Sequence, residues 1–362
     1  MTSDNQTKSE ICLLAIESSC DDTSIAIIKG EAGSILSEVR PKILSMQSFS
    51  QEFMLKKWGG VVPEIAAREH VKKFKPLLEA ALNEAQVSLK DLDAFAVTTH
   101  PGLMGPLLSG INCAKTLALL YQKPMLGINH LYAHLEAIHL TEKIAYPYLG
   151  VLVSGGHSHY LLVRGCDQFE ILGGTLDDAS GEAFDKGGKM LGLPYPAGKY
   201  IDERAKLGSK TAHSFPISYQ KKDDAHLSFS GVKNALRVHL EKYGHPSTEA
   251  ALNDLCASYQ EAIVEALCHK TKSALAIAKQ KLNQTEIKLP IVIGGGVACN
   301  SRLREAMKER YRDVFIVAPK YCTDNASMIA NLALRMYNKS MIYPLGLDKD
   351  ALSHFIEKKK DV

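Results

Sequence analysis

The chain of 362 residues has eight cysteines but no CxxC pair, and its thiols are scattered among apolar and glycine-rich runs. This spacing predicts free thiols and a reducing compartment. The first ten residues lack the apolar core of a signal peptide and the arginine-rich pattern of a transit peptide, and no apolar run is long enough to span a bilayer. We therefore expect a cytoplasmic protein without a membrane segment.

A strong excess of charge is also missing, because 43 lysines and arginines oppose 40 acids and give a net charge of +3. This balance does not by itself indicate a nucleic-acid-binding protein. Local basic clusters leave two interpretations open, a surface that follows phosphates or ordinary solvated helix faces, and the second is favoured. The clusters are Lys56 and Lys57; Arg68, Lys72, Lys73 and Lys75; and Lys358, Lys359 and Lys360.

Two common nucleotide-binding motifs are absent. Neither the G-x-x-x-x-G-K-[ST] loop nor a GxGxxG motif with its downstream acid occurs, so P-loop and Rossmann sites are not expected. Glycines nevertheless follow apolar runs at 155–156 and 294–296, where backbone amides could approach an anion, and a helix beginning after Asn300 would add its positive end. This pattern favours nucleotide binding of another kind, with simple tight turns as the alternative.

The two halves of the chain repeat one plan. In each half, two apolar strands flank a polar turn and predict a hairpin, which is followed later by a strand, a glycine-rich loop and a helix. The segments are 11–16, 24–28, 94–98, 100–110 and 111–121 in the first half, and 148–153, 159–163, 290–293, 294–300 and 301–311 in the second. Because the length suits two packed domains, the repeat predicts an α/β fold with two duplicated lobes facing each other across a cleft.

His130 and His134 lie four residues apart in a run that reads as helix. Residues at this spacing share a helical face, so the two imidazoles can bind one transition metal ion. Leu131 stands where a zinc peptidase helix has its glutamate, which argues against peptidase chemistry. His139 would point about 180° away from His130 on the same helix, so we expect it at the surface.

The densest polar stretch spans residues 175–186. Asp178, Glu182 and Asp185 would share one face of a helix starting near Thr175. They are either a solvated, capped helix start or groups that bind ligand hydroxyls. Gly187 and Gly188 should weaken this helix by about 1 kcal/mol each.

Nine segments carry a resemblance to one family. They are residues 17–23 (ESSCDDT), 59–70 (GGVVPEIAAREH), 101–110 (PGLMGPLLSG), 130–134 (HLYAH), 152–157 (LVSGGH), 175–186 (TLDDASGEAFDK), 227–235 (LSFSGVKNA), 295–304 (GGVACNSRLR) and 321–330 (YCTDNASMIA). In order and spacing they resemble the tRNA N6-adenosine threonylcarbamoyltransferase family, in its bacterial and mitochondrial form. The resemblance covers residues 11 to about 335.

The resemblance implies the actin-like fold, shared with sugar kinases and Hsp70, with a nucleotide-binding cleft. The lobes would be residues 10–145, completed by a C-terminal helix at about 324–342, and residues 146–323. The implied reaction transfers a threonylcarbamoyl group from threonylcarbamoyl-AMP to N6 of the adenosine next to the anticodon, in tRNAs that read codons beginning with adenine. The implied partners are tRNA, a non-catalytic paralogue subunit, a small ATPase and an upstream threonylcarbamoyl-AMP synthase, with no membrane.

The family motifs also imply roles for individual residues. Asp324 would join His130 and His134 as a metal ligand, and this set suits one divalent ion, Fe(II) in preference to Zn(II). The bound nucleotide would be threonylcarbamoyl-AMP or ATP. The implied substrate-binding residues are Leu152, Val153, Ser154, Gly155, Gly156, Asp185, Gly198, Asp202 and Asn300.

Two alternatives remain. An ATP-dependent kinase on the same fold would explain the glycine-rich loops and carboxylates, but such kinases hold Mg(II) with oxygen ligands, which leaves His130 and His134 unexplained. A non-catalytic scaffold paralogue would be expected to have lost the three ligands, which this chain keeps. His70, His100, His159 and His226 are interpreted as packing or surface residues, and His157 as a weaker ligand candidate.

Overall fold

The computed structural model describes residues 10–33, 40–52, 58, 60–217, 223–284 and 286–354. Gly59 and the basic clusters at Lys56–Lys57 and Lys358–Lys360 lie outside these residues. The chain divides into two compact units, Met1–Lys143 with Asp324–Val362, and Ile144–Thr323.

The first unit is built on a five-stranded mixed sheet. Its strands are β1 (Glu10–Glu17), β2 (Asp22–Glu31), β3 (Lys42–Ser50), β4 (Ala94–His100) and β5 (Met125–Asn129), in the order β3-β2-β1-β4-β5. The strands β1, β2 and β3 are antiparallel neighbours, whereas β4 and β5 run parallel to β1. The helices are α1 (Pro63–Ala85), α2 (Met104–Tyr121), α3 (His130–Glu136) and the C-terminal helix (Ala326–Met336).

The strands at the centre of this sheet are buried on both faces, which explains their nearly unbroken apolar sequences. Leu14 and Ile16 belong to a core that they share with side chains of α1 and α2. Strand side chains alternate, so Leu13 and Ala15 point to the opposite face, where the C-terminal helix packs against β1 and β2.

The second unit repeats the sheet. Its strands are β6 (Tyr148–Val153), β7 (Ser158–Gly165), β8 (Gln168–Gly174), β9 (Ile291–Gly294) and β10 (Val314–Ile316), in the order β10-β9-β6-β7-β8. Its helices are α4 (Ser180–Met190), α5 (Ala197–Ala205), α6 (Ser230–Tyr243), α7 (Glu249–Lys281), α8 (Ser301–Arg310) and the short α9 (Pro319–Cys322). The directions match strand by strand, because β6, β7 and β8 are antiparallel while β9 and β10 run parallel to β6. The predicted α/β duplication is confirmed.

Two predicted helix starts were wrong. Helix α2 begins at Met104, within the segment expected to be a loop. The helix can include Pro106 because this residue lies in the first turn, where its missing backbone N–H has no intrahelical partner to lose. Helix α4 begins at Ser180 and leaves Asp178 outside it. The adjacent Asp177 accepts hydrogen bonds from the Phe229 and Ser230 amides at the start of α6, which holds this stretch away from α4.

The structure bears on two further predictions, the free cysteines and the lack of a membrane segment. All eight cysteines are free, as predicted. None of the helices in the described ranges combines the length and apolar character needed to cross a bilayer.

Helix α4 continues through Gly187 and Gly188, the two residues predicted to weaken it. A Cβ added at Gly187 would lie 2.4 Å from Cε1 of Tyr259, and one added at Gly188 would lie 2.2 Å from Cβ of Ala197. Both glycines therefore allow α4 to pack closely against α7 and α5, and this packing offsets their low helix propensity.

We expect Gly187→Ala to destabilise the second unit by about 1–3 kcal/mol, because the new methyl group meets the buried Tyr259 ring. Gly231→Ala in α6 is the matched control, since a Cβ there meets nothing within 4 Å. Urea denaturation followed by circular dichroism measures both variants. Equal unfolding midpoints for the two variants would contradict the packing argument.

Candidate functional site

Helix α3 presents the two histidines as the sequence predicts. Asn129 ends β5 and caps the helix, because its Oδ1 accepts hydrogen bonds from the amides of Leu131 (2.8 Å) and Tyr132 (3.2 Å). His130 and His134 are buried and share one face, with ring centroids 4.6 Å apart. Their Nε2 atoms are 3.2 Å apart, so both nitrogens converge on one point.

Asp324 completes a three-residue cluster immediately before the C-terminal helix. Its Oδ1 lies 3.1 Å from Nε2 of His134 and 3.5 Å from Nε2 of His130. Ligand atoms about 2.1 Å from one tetrahedral or octahedral ion are about 3.0–3.4 Å apart, so the observed separations fit a divalent metal. Within the described ranges, this is the one cluster of three or more His, Cys, Asp or Glu side chains with such spacing.

A buried ion pair joins the two elements that carry these ligands. Nε of Arg335 on the C-terminal helix donates to Oε2 of Glu136 on α3 over 2.9 Å, and Asn331 Nδ2 donates to the Glu136 carbonyl over 2.8 Å. Glu136 is fully buried. The pair therefore fixes Asp324 relative to the histidine helix.

The buried carboxylate of Glu17 contacts the outer nitrogen of His130. Its Oε2 accepts from His130 Nδ1 (3.0 Å) and from the Thr98 hydroxyl (2.5 Å), while Oε1 accepts from the Ser19 amide (2.6 Å). Sequence reasoning assigned no function to Glu17. The available signal was a carboxylate that directly continues an apolar strand, where burial demands a partner.

The neighbouring charges give the two imidazoles different pKa values. Burial opposes the charged form of His130, but the carboxylates of Glu17 and Asp324 raise its pKa above the ordinary value. Burial lowers the pKa of His134, so this ring is neutral near pH 7. Burial and the charges of Asp21 and Asp324 raise the pKa of Asp22 to about 7. A bound cation would relieve this crowding of carboxylates.

The turn after β1 contacts residues of two other segments that resemble the family, 101–110 and 59–70. A Cβ at Gly102 would lie 2.6 Å from the Ser19 carbonyl, and one at Gly110 would lie 2.3 Å from the Ser18 hydroxyl, so both positions require glycine. The buried His70 contacts the Cys20 carbonyl through Nε2 (3.0 Å) and the Thr23 hydroxyl through Nδ1 (2.7 Å). His70 is thus a packing residue, as predicted.

His139 is buried, so its prediction as a surface residue was wrong. After Glu136 the chain tightens into a 3₁₀ turn (Ala137–Leu140), and the angular spacing of an α-helix no longer applies. Nε2 of His139 lies 3.7 Å from Oε2 of Glu136, and burial lowers its pKa to about 4. His100, His157, His159 and His226 are half-buried and do not belong to the cluster with Asp324.

In the second unit, the predicted substrate loop lies at the end of β6. Leu152 and Val153 are buried in the strand, and the loop that follows contacts the first turn of α4. The Gly181 amide donates to the Ser154 carbonyl over 3.2 Å, and the Glu182 amide donates to the Gly155 carbonyl over 3.1 Å. A Cβ added at Gly155 or Gly156 would meet nothing within 4 Å, so this unit leaves open space beside both residues.

The other four predicted positions lie on α4, on α5 and immediately before α8. Oδ1 of Asp185 accepts from the Ala197 amide (2.7 Å), and its carboxylate also accepts from the amide of Gly198. Asp202 lies further along α5 and accepts from the amide and hydroxyl of Ser301 at the start of α8. Asn300 caps α8 through the Leu303 amide (2.9 Å), and its Nδ2 donates to Gln260 (2.6 Å). These contacts place all four residues at the N-terminal ends of α5 and α8.

Two solved structures share the fold at low sequence identity. Full-length HypF in its phosphate- and nucleotide-bound form matches with a TM-score of 0.54 and 12% identity, over 91% of this chain and 46% of that chain. The (R)-2-hydroxyglutaryl-CoA dehydratase component A of Acidaminococcus fermentans matches with a TM-score of 0.51 and 15% identity, over 90% of this chain and 98% of its own. These similarities confirm the actin-like fold.

Sequence comparison identifies much closer relatives. A protein of Anaeromyxobacter sp. (strain Fw109-5) named tRNA N6-adenosine threonylcarbamoyltransferase is 47% identical over 325 residues, which are 88% of this chain and 92% of the relative. The protein of the same name from Syntrophus aciditrophicus (strain SB) is 43% identical over 93% of this chain and 95% of its own. The family model of that name, TsaD, matches residues 42–331. The chain therefore belongs to the tRNA N6-adenosine threonylcarbamoyltransferase family.

Proposed function

We propose that this protein transfers the threonylcarbamoyl group of threonylcarbamoyl-AMP to N6 of the adenosine next to the anticodon, in tRNAs that read codons beginning with adenine. The observation that carries the proposal is the cluster of His130, His134 and Asp324 in a chain of this family. A kinase of this fold binds Mg(II) through oxygen ligands, so two converging imidazoles would have no function in it. A degenerate scaffold would not require the cluster either.

His130, His134 and Asp324 would hold one divalent ion, Fe(II) in preference to Zn(II). Two imidazole nitrogens and one carboxylate oxygen suit both ions and leave coordination positions open. The fit is supported by the ligand separations of 3.1–3.5 Å and by the burial of both imidazoles. When bound, the ion would act as a Lewis acid and polarise the carbonyl of the threonylcarbamoyl group. The protein side chains supply a neutral His134 and a His130 held by Glu17.

The second unit would bind the nucleotide, threonylcarbamoyl-AMP or ATP. Leu152, Val153 and Ser154 are buried, so we propose that the loop from Leu152 to Gly156 contacts the ligand mainly through its backbone. The open space beside Gly155 and Gly156 supports this role. Asp185, Gly198, Asp202 and Asn300 would hold the adenylate, with the two carboxylates directed to ribose hydroxyls. Their hydrogen bonds to the starts of α5 and α8 fix these side chains in place.

We further propose tRNA, a non-catalytic paralogue subunit and a small ATPase as partners, and a separate upstream synthase for threonylcarbamoyl-AMP. Exposed apolar side chains on α1 and α2 support a protein partner on the first unit; they are Val71, Met104, Leu108, Leu119 and Leu120. The basic cluster on α1 gives less support to RNA binding there, because Lys72 pairs with Glu69 and Lys75 with Glu79. The proposed location is the cytoplasm.

The domain boundaries are part of the proposal. We propose that residues 10–145, completed by the C-terminal helix expected at about 324–342, form the lobe with the metal ligands, and that residues 146–323 form the lobe that binds the nucleotide. In the structure this helix is shorter and spans Ala326–Met336. The limits of the two compact units, at Lys143 and Asp324, support these boundaries.

We predict that wild-type protein binds one equivalent of Fe(II) or Zn(II). His134→Ala or Asp324→Ala should lower the metal affinity at least about 100-fold, because loss of a direct metal ligand costs more than loss of a residue that only hydrogen-bonds to a ligand. Chelator competition and elemental analysis measure this loss. His239→Ala is the matched control, since His213 and His239 form a similar ring pair, with centroids 4.8 Å apart, that belongs to no three-ligand cluster. Unchanged metal binding in both ligand variants would exclude the site, and their unfolding would indicate a structural metal.

A reconstituted assay tests the reaction. It contains protein, threonylcarbamoyl-AMP, unmodified tRNA, the paralogue and the ATPase, and nucleoside mass spectrometry detects the product. We expect product with wild-type protein and with Gly231→Val, a control at another open glycine. We expect none with His134→Ala, and reduced product with Gly155→Val when threonylcarbamoyl-AMP is limiting.

Direct binding separates the two defects. Gly155→Val should lower affinity for threonylcarbamoyl-AMP at least about tenfold, because its side chain fills the open space, while His134→Ala should still bind the nucleotide. Absence of product from wild-type protein that binds both metal and nucleotide would favour the kinase or the scaffold.

A further inference from the structure

We propose that Glu17 is the positioning residue of the metal centre, acting through His130 to direct Nε2 of that ring toward the ion. The inference rests on the metal site proposed above. It starts from an unusual placement, a fully buried carboxylate at the end of β1 whose nearest imidazole is 113 positions away in the chain.

The chemistry of the contact fixes the role of each nitrogen. An ionised carboxylate can only accept hydrogen bonds, and Glu17 also accepts from the Ser19 amide and the Thr98 hydroxyl. Nδ1 of His130 must therefore be the donor across the 3.0 Å contact. Because a metal binds the neutral imidazole, the ring in the metal complex offers the lone pair of Nε2, the atom that faces His134 and Asp324.

The two imidazoles differ in this respect. In the described ranges, Nδ1 of His134 is buried without a hydrogen-bond partner. Among the described residues the outer nitrogen of His134 therefore has no partner, whereas the outer nitrogen of His130 meets the Glu17 carboxylate at 3.0 Å and the Ser19 hydroxyl at 3.2 Å. A carboxylate on the outer nitrogen also makes the ligating nitrogen more basic, so Glu17 contributes to affinity as well as to geometry.

The test compares Zn(II) affinity in the full chain by competition with a chromophoric chelator. Glu17→Gln keeps the shape of the side chain but removes the charge, and we expect affinity to fall about 10–100-fold. Glu84→Gln is the matched control, because that carboxylate in the same unit accepts hydrogen bonds from Ser45 and Gln47. The control should bind as wild-type protein does.

A second readout does not require a stable Glu17→Gln variant, because the signal of the wild-type protein is decisive by itself. In Zn(II)-loaded wild-type protein, ¹H–¹⁵N spectra should show a slowly exchanging, low-field Nδ1 proton on His130, assigned by its loss in His130→Ala. This signal should move upfield in Glu17→Gln. Absence of the signal in wild-type protein would overturn the inference, and so would wild-type affinity in Glu17→Gln.

The outcomes separate this inference from the proposed metal site. If wild-type protein and His134→Ala bind Zn(II) equally, the metal site itself is wrong. If His134→Ala loses Zn(II) while Glu17→Gln retains it, the metal site stands and only the role of Glu17 fails.

Discussion

The buried ion pair between Glu136 and Arg335 is the contact on which the metal cluster depends. The histidines come from α3 and the carboxylate from a segment almost two hundred positions later, so their meeting requires two distant parts of the chain to be held in one arrangement. Removing one partner of a buried pair leaves an uncompensated charge and typically costs about 3–5 kcal/mol. Glu136 also accepts a hydrogen bond at its backbone carbonyl, so side chain and main chain are both restrained.

The two units use carboxylates in different ways. In the first unit, Glu17 and Asp324 face imidazoles, and the pKa of His130 is raised as a result. In the second unit, Asp185 and Asp202 accept from backbone amides at helix starts, where the helix dipole favours negative charge. The first arrangement suits a cation, and the second holds acidic side chains in fixed positions beside positive helix ends.

The spacing of residues in the sequence predicted those features that depend only on the geometry of a single helix or hairpin. The four-residue spacing of His130 and His134 needed only helical geometry, and the repeated hairpins needed only alternating strands and polar turns. Asp324 came from family resemblance, because no local spacing shows which distant carboxylate closes a site. For Glu17 the apolar strand that it continues indicated burial, but no local spacing showed that its partner would be His130.

The wrong predictions also have physical causes. The position of His139 depends on a 3₁₀ turn and on packing beside Glu136, and neither has a periodic signal in the sequence. The start of α4 was placed too early because Asp177 bonds to amides about fifty positions away at the start of α6. The low helix propensity of Gly187 and Gly188 could be predicted from the sequence, but the close approach of Tyr259 and Ala197, which leaves no room for a Cβ, depends on tertiary packing.

The first unit is discontinuous, and this has a consequence for biosynthesis. Its sheet forms from the earliest residues, but the helix that covers Leu13 and Ala15 begins only at Ala326. A ribosome must therefore translate the whole second unit before the first can close over its apolar face. Until the helix that packs on β1 and β2 has been made, that face of the sheet has no cover, and exposed apolar surface of this kind makes a nascent chain prone to aggregation. The metal centre is assembled last, so a prematurely terminated chain carries both histidines yet has no complete ligand set.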